Sequence, residues 1–170
     1  MRRPTAFLIS LFVLLAAAAP AAAKSHRIDV PWTLAKRIDK ARSKTDVPIL
    51  LPSRYISERK KLYGSGGATD DGYAFGLAYI KGCGGANACD AASFYAIRGE
   101  DPYYKRTVRL TGGVTGYYKP LTCGASCADP EIQWIDDGVL YGISASAGPE
   151  RVEKKRMVKL ANSAIKHGPR

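Results

Sequence analysis

The chain has 170 residues, with 26 lysines and arginines against 15 acidic residues and a formal net charge of +11. Such a length fits one folded domain with a single core. The 46% content of hydrophobic residues, together with mixed charges, excludes an intrinsically disordered chain.

The first residues have the pattern of a cleavable export signal. Arg2 and Arg3 are followed by an apolar run over residues 6–19 and then by small residues up to Ala23. A secretory signal has a positive region, an apolar region and a small-residue cleavage site in this order. The apolar run is shorter than the roughly 20 residues that span a bilayer, which favours a cleaved signal over a membrane anchor.

This pattern predicts how the chain is divided and where it acts. We expect a signal peptide over residues 1–23, cleaved near Ala23, and a single domain over residues 24–170. The domain is expected to be secreted or periplasmic. No stretch within it is apolar enough to predict a transmembrane segment.

An amphipathic helix is predicted over residues 31–41. Leu34, Ile38 and Ala41 follow the i, i+4, i+7 spacing of one apolar stripe, and basic residues surround them. The apolar segment 47–52 contains two prolines, which predict an edge strand or an extended segment leading into the core.

Strand patterns occupy the middle of the chain. Glycine-rich residues 64–67 and residues 70–72 predict turns. Alternation of large and small residues then predicts a strand with Tyr73, Phe75, Leu77 and Tyr79 on one face. Further strands are predicted over residues 93–98, 106–110 and 115–118.

Four cysteines lie in two close pairs, Cys83 with Cys89 and Cys123 with Cys127. Outside the cytoplasm an even number of cysteines is typical of disulfides. The spacing favours a bond within each pair, and bonds between the two loops are the alternative. Redox centres and four-thiolate zinc sites typically use Cys-x-x-Cys pairs, so these wider spacings favour neither.

The C-terminal part predicts a hairpin and a helix. Residues 132–135 and 139–143 are apolar strands around Asp136-Asp137-Gly138, where Asp137 and Gly138 tolerate the positive φ of a tight turn. A helix is expected to begin around Gly148-Pro149-Glu150 and to end at Gly168-Pro169. Its apolar stripe consists of Met157, Leu160, Ala161 and Ala164.

Helix, strands and helix in this order predict an α+β fold. We expect a twisted, mostly antiparallel sheet with the N- and C-terminal helices packed on one face. An all-β sandwich is the alternative, but it would leave the apolar stripe of the C-terminal helix without a partner.

The C-terminal segment also resembles a known group of domains. Ile132-Gln133-Trp134, the turn and strand over residues 137–141 and the helix ending over residues 160–165 are similar to the tail of uncharacterised exported bacterial domains of the DUF4367 type. In these domains a Trp-containing strand, a short turn, a Tyr-containing strand and a closing helix recur. The resemblance implies an extracytoplasmic α+β domain without an assigned activity.

Positive charge is concentrated at the two ends of the predicted domain, in residues 24–62 and 150–170, whereas the strand region has more acidic than basic side chains. If both helices cover one sheet face, their outer sides form a basic patch that would attract an anionic polymer, phospholipid headgroups or an acidic protein. A solvated basic surface without a partner is the alternative. Nucleic acid is not favoured, because no base-reading motif is present. The patch consists of Lys36, Arg37, Lys40, Lys154, Lys155 and Lys159.

The ten tyrosines are the other candidate for ligand contact. Tyr117 and Tyr118 are candidate binding residues, and other tyrosines could line a groove with them, although a tyrosine-rich strand is also typical of a half-buried sheet. The others are Tyr95, Tyr103, Tyr104 and Tyr141.

The sequence predicts no catalytic residue, metal site or cofactor. Its two histidines, His26 and His167, lie near the ends of the predicted domain, and the adjacent acidic pairs lie in predicted turns, where aspartate is favoured for backbone reasons. We therefore predict an exported, non-enzymatic binding or accessory domain. The alternative is a hydrolase of cell-envelope polymers with an unrecognised site of Asp and Tyr residues. The acidic pairs are Asp70-Asp71, Glu100-Asp101 and Asp136-Asp137.

Overall fold

The computed structural model describes residues 25–84, 86, 88–146 and 150–170. The predicted signal peptide and the predicted start of the C-terminal helix at residues 148–149 lie outside these residues. The elements are β1 (His26–Asp29), α1 (Val30–Arg42), β2 (Arg54–Ser57), β3 (Tyr63–Thr69), β4 (Gly72–Ala78), β5 (Asp90–Arg98), β6 (Thr107–Arg109), β7 (Thr115–Lys119), β8 (Thr122–Cys123), β9 (Cys127–Ala128), β10 (Glu131–Asp136), β11 (Val139–Ala145) and α2 (Glu150–His167).

Seven strands form the main sheet in the order β3-β4-β5-β11-β10-β7-β6, and every neighbouring pair is antiparallel. Two small ribbons, β1 with β2 and β8 with β9, lie outside it. The predicted α+β class with a mostly antiparallel sheet is therefore confirmed. Among the described residues, no helix is both long and apolar enough to span a membrane.

Both helices lie on the same face of the main sheet, which we call the helical face. A Cβ atom added to Gly64 of β3 would meet the carbonyl oxygen of Thr33 in α1 at 2.7 Å. At the opposite half of the same face, Glu153 of α2 accepts a hydrogen bond from Tyr118 of β7. The core between the helices and this face contains Phe75, Phe94, Ile132, Trp134 and Ile143.

Local sequence explains where α1 begins and which side it buries. The side chain of Asp29 accepts a hydrogen bond from the backbone N–H of Trp32 at 2.9 Å and so caps the helix. The predicted stripe of Leu34, Ile38 and Ala41 is buried. Because these residues repeat every three to four positions, one side of α1 packs on the sheet and the other side faces solvent.

The stripe of α2 is also buried as predicted at Met157, Ala161 and Ala164, with Leu160 partly buried. The helix ends before Gly168, whose φ of 65° is the left-handed conformation typical of a helix C-terminus.

The β10–β11 hairpin is confirmed in position and turn type. Asp136 pairs with Val139, so the turn contains only Asp137 and Gly138. Their φ angles of 47° and 71° are both positive, as a two-residue hairpin turn of this class requires.

The prediction of a turn over residues 64–67 is wrong, because these residues belong to β3. Glycine is needed at two positions of this strand for space rather than for reversal of the chain. A Cβ atom on Gly66 would meet the Ala74 carbonyl oxygen at 2.0 Å, and Gly64 lies directly under α1. The ribbon of β1 and β2 was not predicted.

Residues 47–52 form the predicted extended segment rather than a strand of the main sheet. Val47, Ile49 and Leu51 are buried in the core. The Tyr73 hydroxyl accepts a hydrogen bond from the N–H of Leu50 and lies at hydrogen-bond distance from the carbonyl of the same residue, both at 3.0 Å. The segment is thereby fixed onto β4.

The two disulfides join Cys83 to Cys89 and Cys123 to Cys127, which is the connectivity that the sequence favoured. One closes the connection between β4 and β5, and the other closes the β8–β9 ribbon between β7 and β10. These connections lie at the same end of the antiparallel sheet, which we call the disulfide end. The tight turns at residues 70–71 and 137–138 lie at the opposite end, the turn end.

Candidate functional site

The six predicted patch residues are all exposed on the outer sides of the two helices. Three lie on α1 and three on α2, over opposite halves of the sheet, because α1 contacts β3 and β4 whereas α2 contacts β10 and β11. They therefore belong to two basic surfaces on one layer of the fold. The residues are Lys36, Arg37, Lys40, Lys154, Lys155 and Lys159.

Tyr117 and Tyr118, the two candidate binding tyrosines, lie on opposite faces of the main sheet. Tyr118 pairs with Ile132 on the helical face, is only 3% exposed and donates its hydroxyl to Glu153. Tyr117 pairs with Gln133 on the opposite face and is partly exposed. Successive residues of a strand point to opposite faces, so neighbours in sequence cannot share one surface here.

The most prominent aromatic surface lies instead at the start of α1. Trp32 is 80% exposed, and it borders a groove of about 650 Å³ between α1 and the beginning of β3. Lys36 and Arg37 line the helix side of this groove, and Leu62 and Tyr63 line the strand side. We call these five residues the Trp32 surface.

The Trp32 surface is electrically positive. The ammonium of Lys61 lies 5.1 Å above the ring of Tyr63, which adds a third cation to those of Lys36 and Arg37. In the part of the chain that the structure describes, neither of these two helix cations has a carboxylate within ion-pair distance. An exposed indole beside unpaired cations is suited to a ligand that has both a flat apolar face and negative charge.

Part of this surface can be read from the spacing of residues in α1. Trp32 precedes Leu34 by two positions, and at 100° per residue this places it opposite the buried stripe. Lys36 follows Trp32 by four positions and therefore lies one turn further along the same side. The contribution of Leu62 and Tyr63 depends on how β3 meets α1, which local periodicity does not contain.

A cluster of polar side chains lies on the face of the main sheet opposite the helical face. Oε1 of Glu131 accepts hydrogen bonds from the Tyr95 hydroxyl at 2.5 Å and from Nε2 of Gln133 at 3.0 Å, and its Oε2 accepts one from the Tyr104 hydroxyl at 2.7 Å. The backbone N–H of Tyr103 donates to Oε1 of Gln133 at 2.9 Å.

These contacts give the cluster a structural role. Burial, followed by the hydrogen bond to Glu131, raises the pKa of both Tyr95 and Tyr104, so both phenols stay protonated as donors. The buried Gln133 has partners for its oxygen and its nitrogen. The cluster therefore fixes the loop after β5 onto the sheet.

Acidic side chains gather around a cleft of about 510 Å³ at the turn end. Asp46, Asp136 and Asp137 line it together with Arg98 and Tyr141. Asp46 is paired with Arg98 at 2.6 Å. Burial raises the pKa of Tyr141 to about 12, with smaller contributions from Asp136 and Asp137.

The other acidic pairs, Asp70-Asp71 and Glu100-Asp101, are exposed at this same end. Among the described residues, no group of three or more His, Cys, Asp or Glu side chains is arranged to bind a metal ion.

Comparison with protein families, with curated proteins and with solved structures finds no match for this chain. The resemblance to domains of the DUF4367 type stays a prediction.

Proposed function

We propose that this protein is an exported, non-enzymatic binding domain whose Trp32 surface holds an anionic polysaccharide. The observation that supports this most directly is the 80% exposure of Trp32 beside Lys36 and Arg37. Burying a large aromatic ring normally stabilises a fold, so an indole left in solvent is available to a partner.

The chemistry of the surface fits a charged sugar chain. The flat apolar face of a sugar ring packs against an indole, and carboxylate or sulfate groups on the chain pair with lysine and arginine. Lys36 and Arg37 line the helix side of the groove between α1 and β3, so a sugar chain lying against Trp32 would be close to both cations. Exposed ion pairs are weakened by salt, so binding should weaken as ionic strength rises.

The test is binding to heparin as an anionic polysaccharide, measured by titration calorimetry, with neutral dextran as the reference polymer. We expect Trp32→Ala to weaken heparin binding at least about tenfold, as for an aromatic residue at the centre of an interface. The melting temperature should not change, because the side chain is mostly exposed and makes little contribution to the core. Equal binding by Trp32→Ala and the wild type would overturn the proposal.

A matched pair of double variants separates this surface from general positive charge. Lys36→Gln with Arg37→Gln removes two charges at the Trp32 surface, and Lys154→Gln with Lys155→Gln removes two on the other helix. The first should weaken heparin binding markedly more than the second. Equal weakening would show that net charge alone is responsible.

A membrane partner is distinguished with vesicles of phosphatidylglycerol. Trp32 is exposed and Trp134 is buried, so any blue shift of the tryptophan emission on binding reports Trp32. Tighter binding to these vesicles than to heparin, together with such a shift, would assign the surface to a lipid headgroup layer and refute the polysaccharide.

Export is part of the proposal and has its own test. It is supported by the signal pattern of residues 1–23 and by the two disulfides. Mass spectrometry of material recovered outside the cytoplasm of a bacterial host should give the mass of residues 24–170 with both disulfides formed. A retained Met1 with free thiols would refute export.

The turn-end cleft supports a second candidate, hydrolysis of a cell-envelope polymer. Asp136 and Asp137 face a cavity there with Tyr141, and two carboxylates can serve as general acid and base. This candidate predicts release of soluble fragments from isolated cell envelope, and loss of that release in a variant with Asp136→Asn and Asp137→Asn. No release by the wild type would eliminate it.

A further inference from the structure

A smaller groove of about 310 Å³ lies between β2 and α2, near the point where β11 ends. Its apolar lining comes from Ile56, which is 47% exposed on β2, and from the partly buried Leu160 of α2. Tyr55 closes its base and is held by its hydroxyl, which lies 2.9 Å from the carbonyls of both Ala91 and Ser146. We call this site the Arg54 groove.

Three cations surround this apolar lining. Arg54 extends from β2, and Arg156 and Lys159 extend from α2. None of the described residues that line the groove is acidic. The groove thus combines an apolar interior with a positive rim, whereas the Trp32 surface has an exposed indole beside its cations.

The origin of this arrangement lies in the geometry of the two elements. Along β2, Tyr55 and Ser57 are buried while Arg54 and Ile56 point outwards. On α2, Arg156 and Lys159 are three positions apart, and Leu160 follows Arg156 by four, so all three share one side of the helix. The hydrogen bond from the N–H of Ser53 to the hydroxyl of Ser163, at 3.1 Å, holds the start of β2 against α2.

We propose that the Arg54 groove binds a single-chain amphiphilic anion, with its acyl chain between Ile56 and Leu160 and its acidic head between the cations. The volume is at the lower end of the roughly 300–1,000 Å³ of small-molecule sites, which fits one chain and excludes a bulky ligand. A buried chain removes apolar surface from water, and the head forms charge-assisted hydrogen bonds with arginine. This ligand class is independent of the polysaccharide proposed above.

The experiment compares three probes by titration calorimetry at low salt and below the micelle concentration. Decanoate supplies the chain and the charge, decanol supplies the chain alone, and acetate supplies the charge alone. We expect saturable binding of decanoate with a stoichiometry of one and much weaker binding of the other two. Decanol or acetate binding as tightly as decanoate would overturn the proposal, as would failure of decanoate to bind.

Two variants locate the binding, and neither is expected to disturb folding because both side chains are exposed. Ile56→Ser should weaken decanoate binding about tenfold by removing apolar contact. Lys159→Gln should weaken it about threefold, the size of a partly exposed ion pair. Lys155→Gln, on the same helix but outside the groove, is the matched control and should bind as the wild type does.

The outcomes separate this site from the Trp32 surface. Trp32→Ala should leave decanoate binding unchanged, and Ile56→Ser should leave heparin binding unchanged. Decanoate binding that is lost in Trp32→Ala and retained in Ile56→Ser would place the amphiphile elsewhere and refute the Arg54 groove.

Discussion

Replacing Glu153 by alanine is expected to destabilise the domain strongly, because this carboxylate joins α2 to the strand layer. It is 1% exposed, and its Oε1 accepts hydrogen bonds from the Tyr118 hydroxyl and, at 3.0 Å, from the backbone N–H of Leu121. Hydrogen bonds to charged groups contribute about 1.5–3 kcal/mol each, so losing both corresponds to about 3–6 kcal/mol. That is a large part of the roughly 5–15 kcal/mol by which domains are stable.

Urea unfolding of Glu153→Ala and Glu153→Gln, with both disulfides oxidised, measures this loss. Both donors bind the same oxygen, and glutamine has a carbonyl oxygen there, so Glu153→Gln keeps both hydrogen bonds at the neutral strength of about 0.5–1.5 kcal/mol each and should lose clearly less stability than Glu153→Ala. The substitution to glutamine also removes the negative charge of Glu153. This charge is the second cause, after burial, of the raised pKa of Asp129. If the two variants lose equal stability, or if Glu153→Ala loses less than about 1 kcal/mol, these hydrogen bonds do not hold α2 in place.

Two further predictions concern the sheet. Gly142→Ala should cost about 1–3 kcal/mol in unfolding free energy, because its Cβ would lie 2.1 Å from Cζ of Tyr95, whereas Gly67→Ala, with open space around it, should cost little; equal losses in urea unfolding would contradict this. The pKa of Asp90 is raised by burial and then by the charge of Asp129, so the folded state binds this proton more tightly than the unfolded chain does. The tighter binding of the proton by folded Asp90 therefore stabilises the folded state fully below the unfolded pKa of about 3.9. This stabilisation is lost as pH rises through the pKa of Asp90 in the folded state. The melting temperature of Asp90→Asn relative to the wild type should accordingly increase from pH 4 to pH 7, and a difference that is constant with pH would contradict the assignment.

The parts of the fold that could be predicted are those whose determinants are close together in sequence. The β10–β11 hairpin depends on a turn of two residues, and the stripes of α1 and α2 depend on spacings within one helix. By contrast, β1 pairs with β2 across the whole of α1, and in neither strand does the sequence alternate apolar and polar residues. A prediction from local pattern has no means of pairing such segments.

The glycines of β3 show the same limit of prediction from local sequence. Residues 64–67 have the composition of a turn, and glycine is required in a strand there because Thr33 lies close to Gly64 and Ala74 lies close to Gly66. For the candidate surfaces, too, only part of the arrangement could be predicted from the sequence. The exposed cations followed from helix periodicity, whereas the groove beside Ile56 depends on the contact between β2 and α2.

The small size of the two disulfide-closed loops affects the order in which the protein folds and is oxidised. With sequence separations of 6 and 4, each bond restricts the unfolded chain by only on the order of 2 kcal/mol. The pairing of β8 with β9 sets Cys123 directly opposite Cys127. Oxidation should therefore follow folding and seal an existing arrangement, so a chain kept under reducing conditions should still acquire its helices and its seven-stranded sheet.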